Sequence, residues 1–138
     1  MKTINYSEEI SINTTELLVL YNDAGWKAYT SKPEELTAAV SNSLFVLTAR
    51  EDGKLVGMLR AIGDGLTIIY IQDILVLESH QRKGIGSSLL KMTLDKYPAV
   101  RQIVLLTDNK PETVSFYERA GLVSPDSLGL SSFVRIKT

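Results

Sequence analysis

The sequence predicts a mixed α/β (α+β) domain in which helices flank a central, mostly antiparallel sheet. Three observations predict it. Two β-rich runs, "LFVLTAR" and "LVGMLRAIG", stand on either side of Asp52-Gly53, a dipeptide that favours a tight hairpin turn. A long apolar run, "LTIIYIQDILVL", is followed by a glycine turn, a helical pattern and a further short strand, the signature of one right-handed parallel crossover. Helical periodicity lies on both sides of this strand-rich middle.

Taken in order, "KTINYSE" alternates weakly and suggests a first strand. In "NTTELLVLYNDAGW", Leu17, Leu18, Leu20 and Tyr21 recur at helical spacing behind Asn13 or Thr14 as cap, and Gly25 can end the helix. A second helix starts at Pro33 in "SKPEELTAAVSNS", with two acids in its first turn and Leu36, Ala39 and Val40 on its apolar side. After the hairpin, Gly63 to Gly65 turn the chain into the long strand, expected to be central and buried on much of both faces. The next helix carries Ile85, Leu89 and Met92, with Leu90, Leu94 and Tyr97, on adjacent rows and ends near Pro98. "RQIVLLTD" is the strand parallel to the long one. A last helix runs from Pro111 to Gly121, and "LGLSSFVRIK" offers one or two closing strands.

Composition narrows the function classes. The 138 residues contain no repeat, low-complexity tract or linker and are read as a single domain, 1–138, with its own core. The formal net charge is −1 and the basic residues are scattered, which disfavours nucleic acid and anionic membranes as partners. There is no cysteine and a single histidine, His80. Disulfides, thiolate metal sites, a cysteine nucleophile and a histidine-rich metal site are thereby excluded, and no metal is expected. The polar, acid-bearing N-terminal stretch and the lack of a long apolar run point to a soluble, cytoplasmic protein.

The stretch "ILVLESHQRKGIGSSLL", Ile74 to Leu90, is where chemistry is expected. Gly84 and Gly86 let the backbone approach a ligand, and the unpaired amides at the following helix start carry the positive end of its dipole. Arg82, Lys83 and Ser87 add charge and a hydroxyl. This suits a pyrophosphate, although a plain strand-to-helix turn would use the same glycines. A nucleoside-triphosphate loop would need a Gly-Lys-Ser/Thr ending that is absent. A dinucleotide fingerprint would need a third glycine where Leu89 stands. Asp108 lies where a ribose-binding acid would fall, but the preceding hairpin leaves too little chain for a doubly wound parallel sheet.

The string Gln81-Arg82-Lys83-Gly84-Ile85-Gly86 matches Q/R-x-x-G-x-G/A directly after a strand ending "DILVL", and "PETVSFYERAGL" looks like a helix end of the form F-Y-x-x-x-G-F, with Leu122 in the last place. Together they resemble the GNAT superfamily of acetyl-CoA-dependent N-acetyltransferases. The resemblance covers essentially the whole chain in element order. It implies acetyl-CoA as cosubstrate, with its pyrophosphate on the amides of Arg82, Lys83, Gly84, Ile85, Gly86 and Ser87. It implies that the pantetheine arm pairs with the backbone of Ile74, Leu75 and Val76 like an added strand. An amide there would donate to the thioester carbonyl and steady the charge that develops on its oxygen. Tyr117 matches the family's tyrosine, the general acid that protonates the departing thiolate. Asn109 is carried over as a pantetheine contact; its alternative role is turn chemistry before Pro111. Phe116 is expected in the core.

The implied function is acetyl transfer to a primary amine, on a small molecule or a peptide, by direct attack. The alternative is a non-catalytic module of the same fold that binds or senses coenzyme A. A nucleotide-binding domain of another fold is a third reading. The alternatives stay open because the family's base positions on the long strand are here Tyr70 and Gln72, neither a good base. Asp73 has the opposite pleat parity unless a bulge re-aims it, Glu78 reads as solvated, and His80 as a surface loop residue. Trp26 and Tyr29 are candidates for lining the acceptor pocket, with core packing the other reading of Trp26. A homodimer is expected only by analogy.

Overall fold

The computed structural model describes residues 2–137. The chain divides into two compact units, Met1–Leu106 and Thr107–Thr138. The first holds a five-stranded sheet in the order β1-β2-β3-β4-β5: β1 (Ile4–Glu8), β2 (Phe45–Glu51), β3 (Lys54–Gly63), β4 (Ile68–Val76) and β5 (Gln102–Leu105). The first four strands pair antiparallel and β5 runs parallel to β4. This is the mixed, mostly antiparallel sheet the sequence predicts.

Local chemistry explains most boundaries. Helix α1 (Thr14–Asp23) starts at Asn13, whose side-chain oxygen accepts from the amides of Thr15 and Glu16. It closes in a Schellman motif: with Gly25 at φ +76°, its amide bonds the Asn22 carbonyl and the Trp26 amide bonds the Tyr21 carbonyl. A one-turn helix that the sequence pattern did not announce, α2 (Lys27–Thr30), follows directly. Helix α3 (Pro33–Ser41) has Pro33 at its first position, as expected. Asp52 and Gly53, at φ +49° and +80°, make the β2–β3 turn. At the β3–β4 connection the Asp64 carboxylate accepts the amides of Leu66, Thr67 and Ile68.

The core lies between sheet and helices. It includes Leu17, Leu20 and Tyr21 of α1, Leu36 and Val40 of α3, Met58 and Leu59 of β3, and Leu89 and Leu90 of α4 (Ile85–Lys96). One row of α4 is rotated from expectation. Met92 is 40% exposed whereas Thr93 is buried, because the Thr93 hydroxyl satisfies itself on the Leu89 carbonyl at 2.8 Å. Strand β4 alternates between full and partial burial rather than being closed on both faces.

The second unit contains α5 (Pro111–Arg119) and a 3₁₀ turn at Pro125–Leu128. The closing strands expected in "LGLSSFVRIK" are not formed. Leu130 to Lys137 is irregular, and Phe133 is 93% exposed. A β-prone sequence becomes a strand only when an edge pairs with it, which the pattern alone does not supply.

Candidate functional site

In the first unit, β4 and β5 part company. Their register runs from Ile68 opposite Gln102 to Ile71 opposite Leu105, while β4 continues to Val76. On the β5 side, Gln72 to Val76 therefore have no strand partner among the described residues, although Ile74, Leu75 and Val76 remain paired to β3 opposite Leu59, Met58 and Gly57. An open sheet edge of this kind offers backbone donors and acceptors to an extended ligand.

The strand leads straight into the glycine loop. Gln81, the first residue of the motif, returns its side-chain amide to the Val76 carbonyl at 3.1 Å and ties the loop to the strand end. Arg82 takes φ +63°, unusual for a residue with a Cβ, and Gly84 takes φ +83° at the N-cap of α4. No side chain caps this helix, so its first amides are left to a ligand or to water. Arg82, Lys83, Gly84 and Ser87 are exposed, Gly86 is half-buried, and Ile85 is buried as the anchor that seats the helix on the sheet. Beside Gly84 an added Cβ would meet nothing within 4 Å. The site is open and donor-rich, which fits a pyrophosphate, and the unpaired β4 edge fits the amides of a pantetheine arm.

Gly57, not singled out from the sequence, sits underneath. A Cβ there would come within 3.2 Å of Ile85 Cγ2 and of the Leu75 carbonyl oxygen. The missing side chain lets the start of α4 approach β3 and β4 closely. An isolated glycine inside a strand pattern was the available signal.

The sequence allowed for a bulge at Asp73 but did not announce its pairing with Arg60. Asp73 is 2% exposed and faces Arg60 of β3 across the strand pair. Its Oδ2 accepts from Arg60 Nε at 2.8 Å and from the Tyr21 hydroxyl at 2.7 Å, and Arg60 Nη1 also reaches Ser43 Oγ at 3.3 Å. Burial, followed by the Asp73 charge, pushes the Tyr21 phenol far above its ordinary range. The pairing slips by one residue here: Arg60 is opposite Asp73 but Ala61 is opposite Ile71, so Gln72 is the extra residue of a bulge. Gln72 Nε2 donates to the Tyr29 hydroxyl at 2.9 Å. Tyr29, Tyr21 and Trp26 form an aromatic trio with centroids 5.4 to 6.0 Å apart. Glu78 is exposed, and His80 is tied to Ser79 at 2.8 Å and to Glu51 at 3.2 Å.

Tyr117 and Asn109 belong to the second unit. Tyr117 lies in the last turn of α5, half-buried, and its ring meets Phe116 edge-on at 5.0 Å. Burial raises its phenol above the ordinary value, the nearby Asp108 charge adds to that, and the Thr107 hydroxyl works against it. The group is therefore protonated at neutral pH. The helix end is fixed by a second Schellman motif, in which the Leu122 amide bonds the Tyr117 carbonyl and the Gly121 amide that of Glu118. Phe116 is half-buried rather than a core residue, since no residue of α5 is fully buried. Asn109 is exposed. The turn chemistry before Pro111 is performed by its neighbour Asp108, whose carboxylate accepts the Lys110 amide at 3.0 Å.

An open β4 edge running into an uncapped, glycine-entered helix defines an acyl-CoA N-acyltransferase type of fold. Residues 12–122 match the model of the acetyltransferase (GNAT) family, and the chain belongs to that family. A GNAT-family acetyltransferase structure from Streptococcus pneumoniae TIGR4 is 31% identical, with a TM-score of 0.87 and 98% of each chain covered. A probable acetyltransferase structure from methicillin-resistant Staphylococcus aureus shares the fold at 23% identity and a TM-score of 0.77, covering 97% of this chain and all of that one. An uncharacterised N-acetyltransferase of Pyropia yezoensis is 26% identical over 130 residues, which are 92% of this chain and 75% of the relative. The family uses acetyl-CoA as cosubstrate and acts on amine acceptors. No helix among the described residues is long and apolar enough to cross a membrane.

Proposed function

We propose that the chain transfers the acetyl group of acetyl-CoA to a primary amine, by direct attack of the amine and with no covalent enzyme intermediate. The observation that carries this reading is the unpaired edge of β4, which runs into the uncapped start of α4. Ile74, Leu75 and Val76 serve the pantetheine arm through their backbone. The amides of Arg82, Lys83, Gly84, Ile85, Gly86 and Ser87 take the pyrophosphate. Tyr117, a phenol raised by burial, holds the proton that the departing thiolate needs, and Asn109 is a contact of the arm. The absence of cysteine is consistent with direct transfer. The bound thioester supplies the acyl group, and the chain's own residues orient it and manage the protons.

The test is a thiol-release screen of acetyl-CoA against grouped amines, together with thermal melting. Acetyl-CoA at about 100 times its Kd adds about 2.7 kcal/mol of stability and raises the Tm. Tyr117→Phe keeps that shift and loses about 10²-fold or more in turnover. Unchanged turnover removes Tyr117 from the mechanism. Coenzyme binding with no thiol release from any amine would favour the non-catalytic module. A homodimer belongs to the same reading by analogy with relatives, and light scattering on the eluting protein measures it.

A further inference from the structure

The stretch after α5 leaves a run of large apolar side chains in water. Leu130, Val134 and Ile136 are 54%, 60% and 72% exposed, and Phe133 among them is the most exposed large apolar residue described. A cluster of this kind marks a surface that another polypeptide covers. Beyond Leu130, whose amide still bonds the Pro125 carbonyl at 3.0 Å, no backbone hydrogen bond is formed as far as Lys137 among the described residues. The segment nevertheless reads as a strand. Leu130, Val134 and Ile136 share one pleat parity with Ser132, Phe133, Arg135 and Lys137 share the other, and no proline interrupts it.

An edge able to pair with it is present in the first unit. Strand β5 is the last of the sheet and pairs only with β4 among the described residues, so its outer side presents unpaired backbone groups. Val104 and Leu106, of one parity along that edge, are 39% and 45% exposed. Residues 131–137 span about 23 Å when extended, against about 13 Å for β5, so the segment is long enough to cover the edge. Surface area gives the size of what is missing. The chain exposes 9070 Å², whereas a folded monomer of 15.3 kDa exposes about 7,100 Å². The excess is about 1,900 Å² per chain, or about 3,800 Å² for two copies, within the roughly 2,000–5,000 Å² that obligate homodimers bury.

We propose that residues 130–137 of one copy add as a strand to the β5 edge of a second copy of this chain, and that the exchange is reciprocal. The occupant is a second copy because each chain carries one unpaired segment and one unpaired edge. Two copies therefore satisfy both, and the assembly closes under two-fold symmetry. Pairing supplies the backbone hydrogen bonds that the segment lacks, and it lets the parity of Leu130, Val134 and Ile136 bury against the partner. The inference rests on the homodimer in the reading above and is independent of the acetyl-transfer chemistry.

The experiment measures the mass of the full chain by light scattering on the eluting protein, for the wild type and for Val134→Asp/Ile136→Asp. The wild type should show twice the 15.3 kDa of one chain. The variant should show the single-chain mass and still unfold cooperatively on heating, since both side chains are exposed in one copy. A second measurement uses the absence of cysteine: Val104→Cys/Val134→Cys, treated with a short bis-maleimide, should run as a covalent dimer on a denaturing gel. A monomeric wild type overturns the exchange and the homodimer together. A variant that stays dimeric, a cross-link that closes within one chain, or no cross-link overturns the exchange while leaving the homodimer standing. Acetyl transfer is read separately by thiol release, so its failure is distinguishable from either.

Discussion

Replacing Gly57 with alanine tests whether close contact under the glycine loop holds the site in shape. The new Cβ would lie 3.2 Å from Ile85 Cγ2, 3.2 Å from the Leu75 carbonyl oxygen and 3.4 Å from Ala49 Cβ. Carbon pairs are comfortable at about 3.5–4.0 Å, so the neighbours must give by a few tenths of an ångström. Two of the three are fixed in place: Ile85 opens α4 and is buried, and Leu75 is paired to Met58 within the sheet. Overpacking of this kind costs about 1–3 kcal/mol. Against it stands a gain of about 0.4–1 kcal/mol, because alanine restricts the unfolded chain. The net effect runs from about zero to a loss of about 2.6 kcal/mol. At about 4 °C per kcal/mol for a chain of this size, the Tm falls by up to roughly 10 °C. The same displaced atoms belong to the proposed thioester rail and the start of the pyrophosphate loop, so acetyl-CoA affinity should fall by about 5-fold, equivalent to about 1 kcal/mol. Thermal unfolding by circular dichroism and calorimetric titration read the two effects. A Tm above that of the wild type would refute the packing argument. A lower Tm with unchanged affinity would refute the link to the site.

Gly84→Ala isolates backbone strain, because nothing lies within 4 Å of the added Cβ while φ is +83°. A left-handed residue with a Cβ costs about 1–2 kcal/mol, so the Tm should drop by a few degrees and acetyl-CoA should bind more weakly in the same titrations. Unchanged binding would mean the loop does not need that φ. On the opposite flank, Arg50 bridges Glu9 at 2.9 Å and Glu16 at 2.7 Å, and its hydrogen bonds hold the Glu9 carboxyl below the ordinary value of 4.5. A lowered acid stabilises the fold above its unfolded pKa and loses that contribution as pH falls through its folded pKa. Arg50→Met should therefore be less stable than the wild type near neutral pH, and the difference should shrink below about pH 4.5. Urea unfolding at the two pH values measures it.

What was legible in the sequence was mostly local. Asp52-Gly53 announces its hairpin because both residues accept positive φ. Asn13, Pro33 and Pro111 mark helix starts because capping and a fixed φ act within one turn. The glycine loop was legible for the same reason, its chemistry being that of a single strand-to-helix turn. The misses involve partners distant in the chain. "LGLSSFVRIK" has strand composition, but pairing is decided by an edge elsewhere. Met92 and Thr93 exchange places because one hydroxyl can satisfy itself inside the helix. Arg60 and Asp73 become a buried pair only through the β3–β4 register, and no glycine or proline near Gln72 advertises the bulge that sets it. Pleat parity turned Asp73 away from the site unless a bulge re-aimed it, and the bulge at Gln72 is there.

That pair also bears on why the interior is built this way. Arg60 and Asp73 are 6% and 2% exposed, and taking two charges out of water costs several kcal/mol each before their attraction returns it. The cost is not fully met, since Asp73 Oδ1 has no partner. Stability alone is therefore a weak reason for the arrangement, because an apolar pair of similar volume is often neutral or better. The double variant Arg60→Met/Asp73→Leu separates the two accounts. Each single change strands a buried charge and should cost about 3–5 kcal/mol, whereas the double should recover most of that in urea unfolding. If the pair only holds the strands together, the recovered protein also regains its turnover of alkylamines. If the pair also sets the shape of the β4 edge through the bulge at Gln72, the double variant folds and binds acetyl-CoA, yet turns over alkylamines more slowly than the wild type.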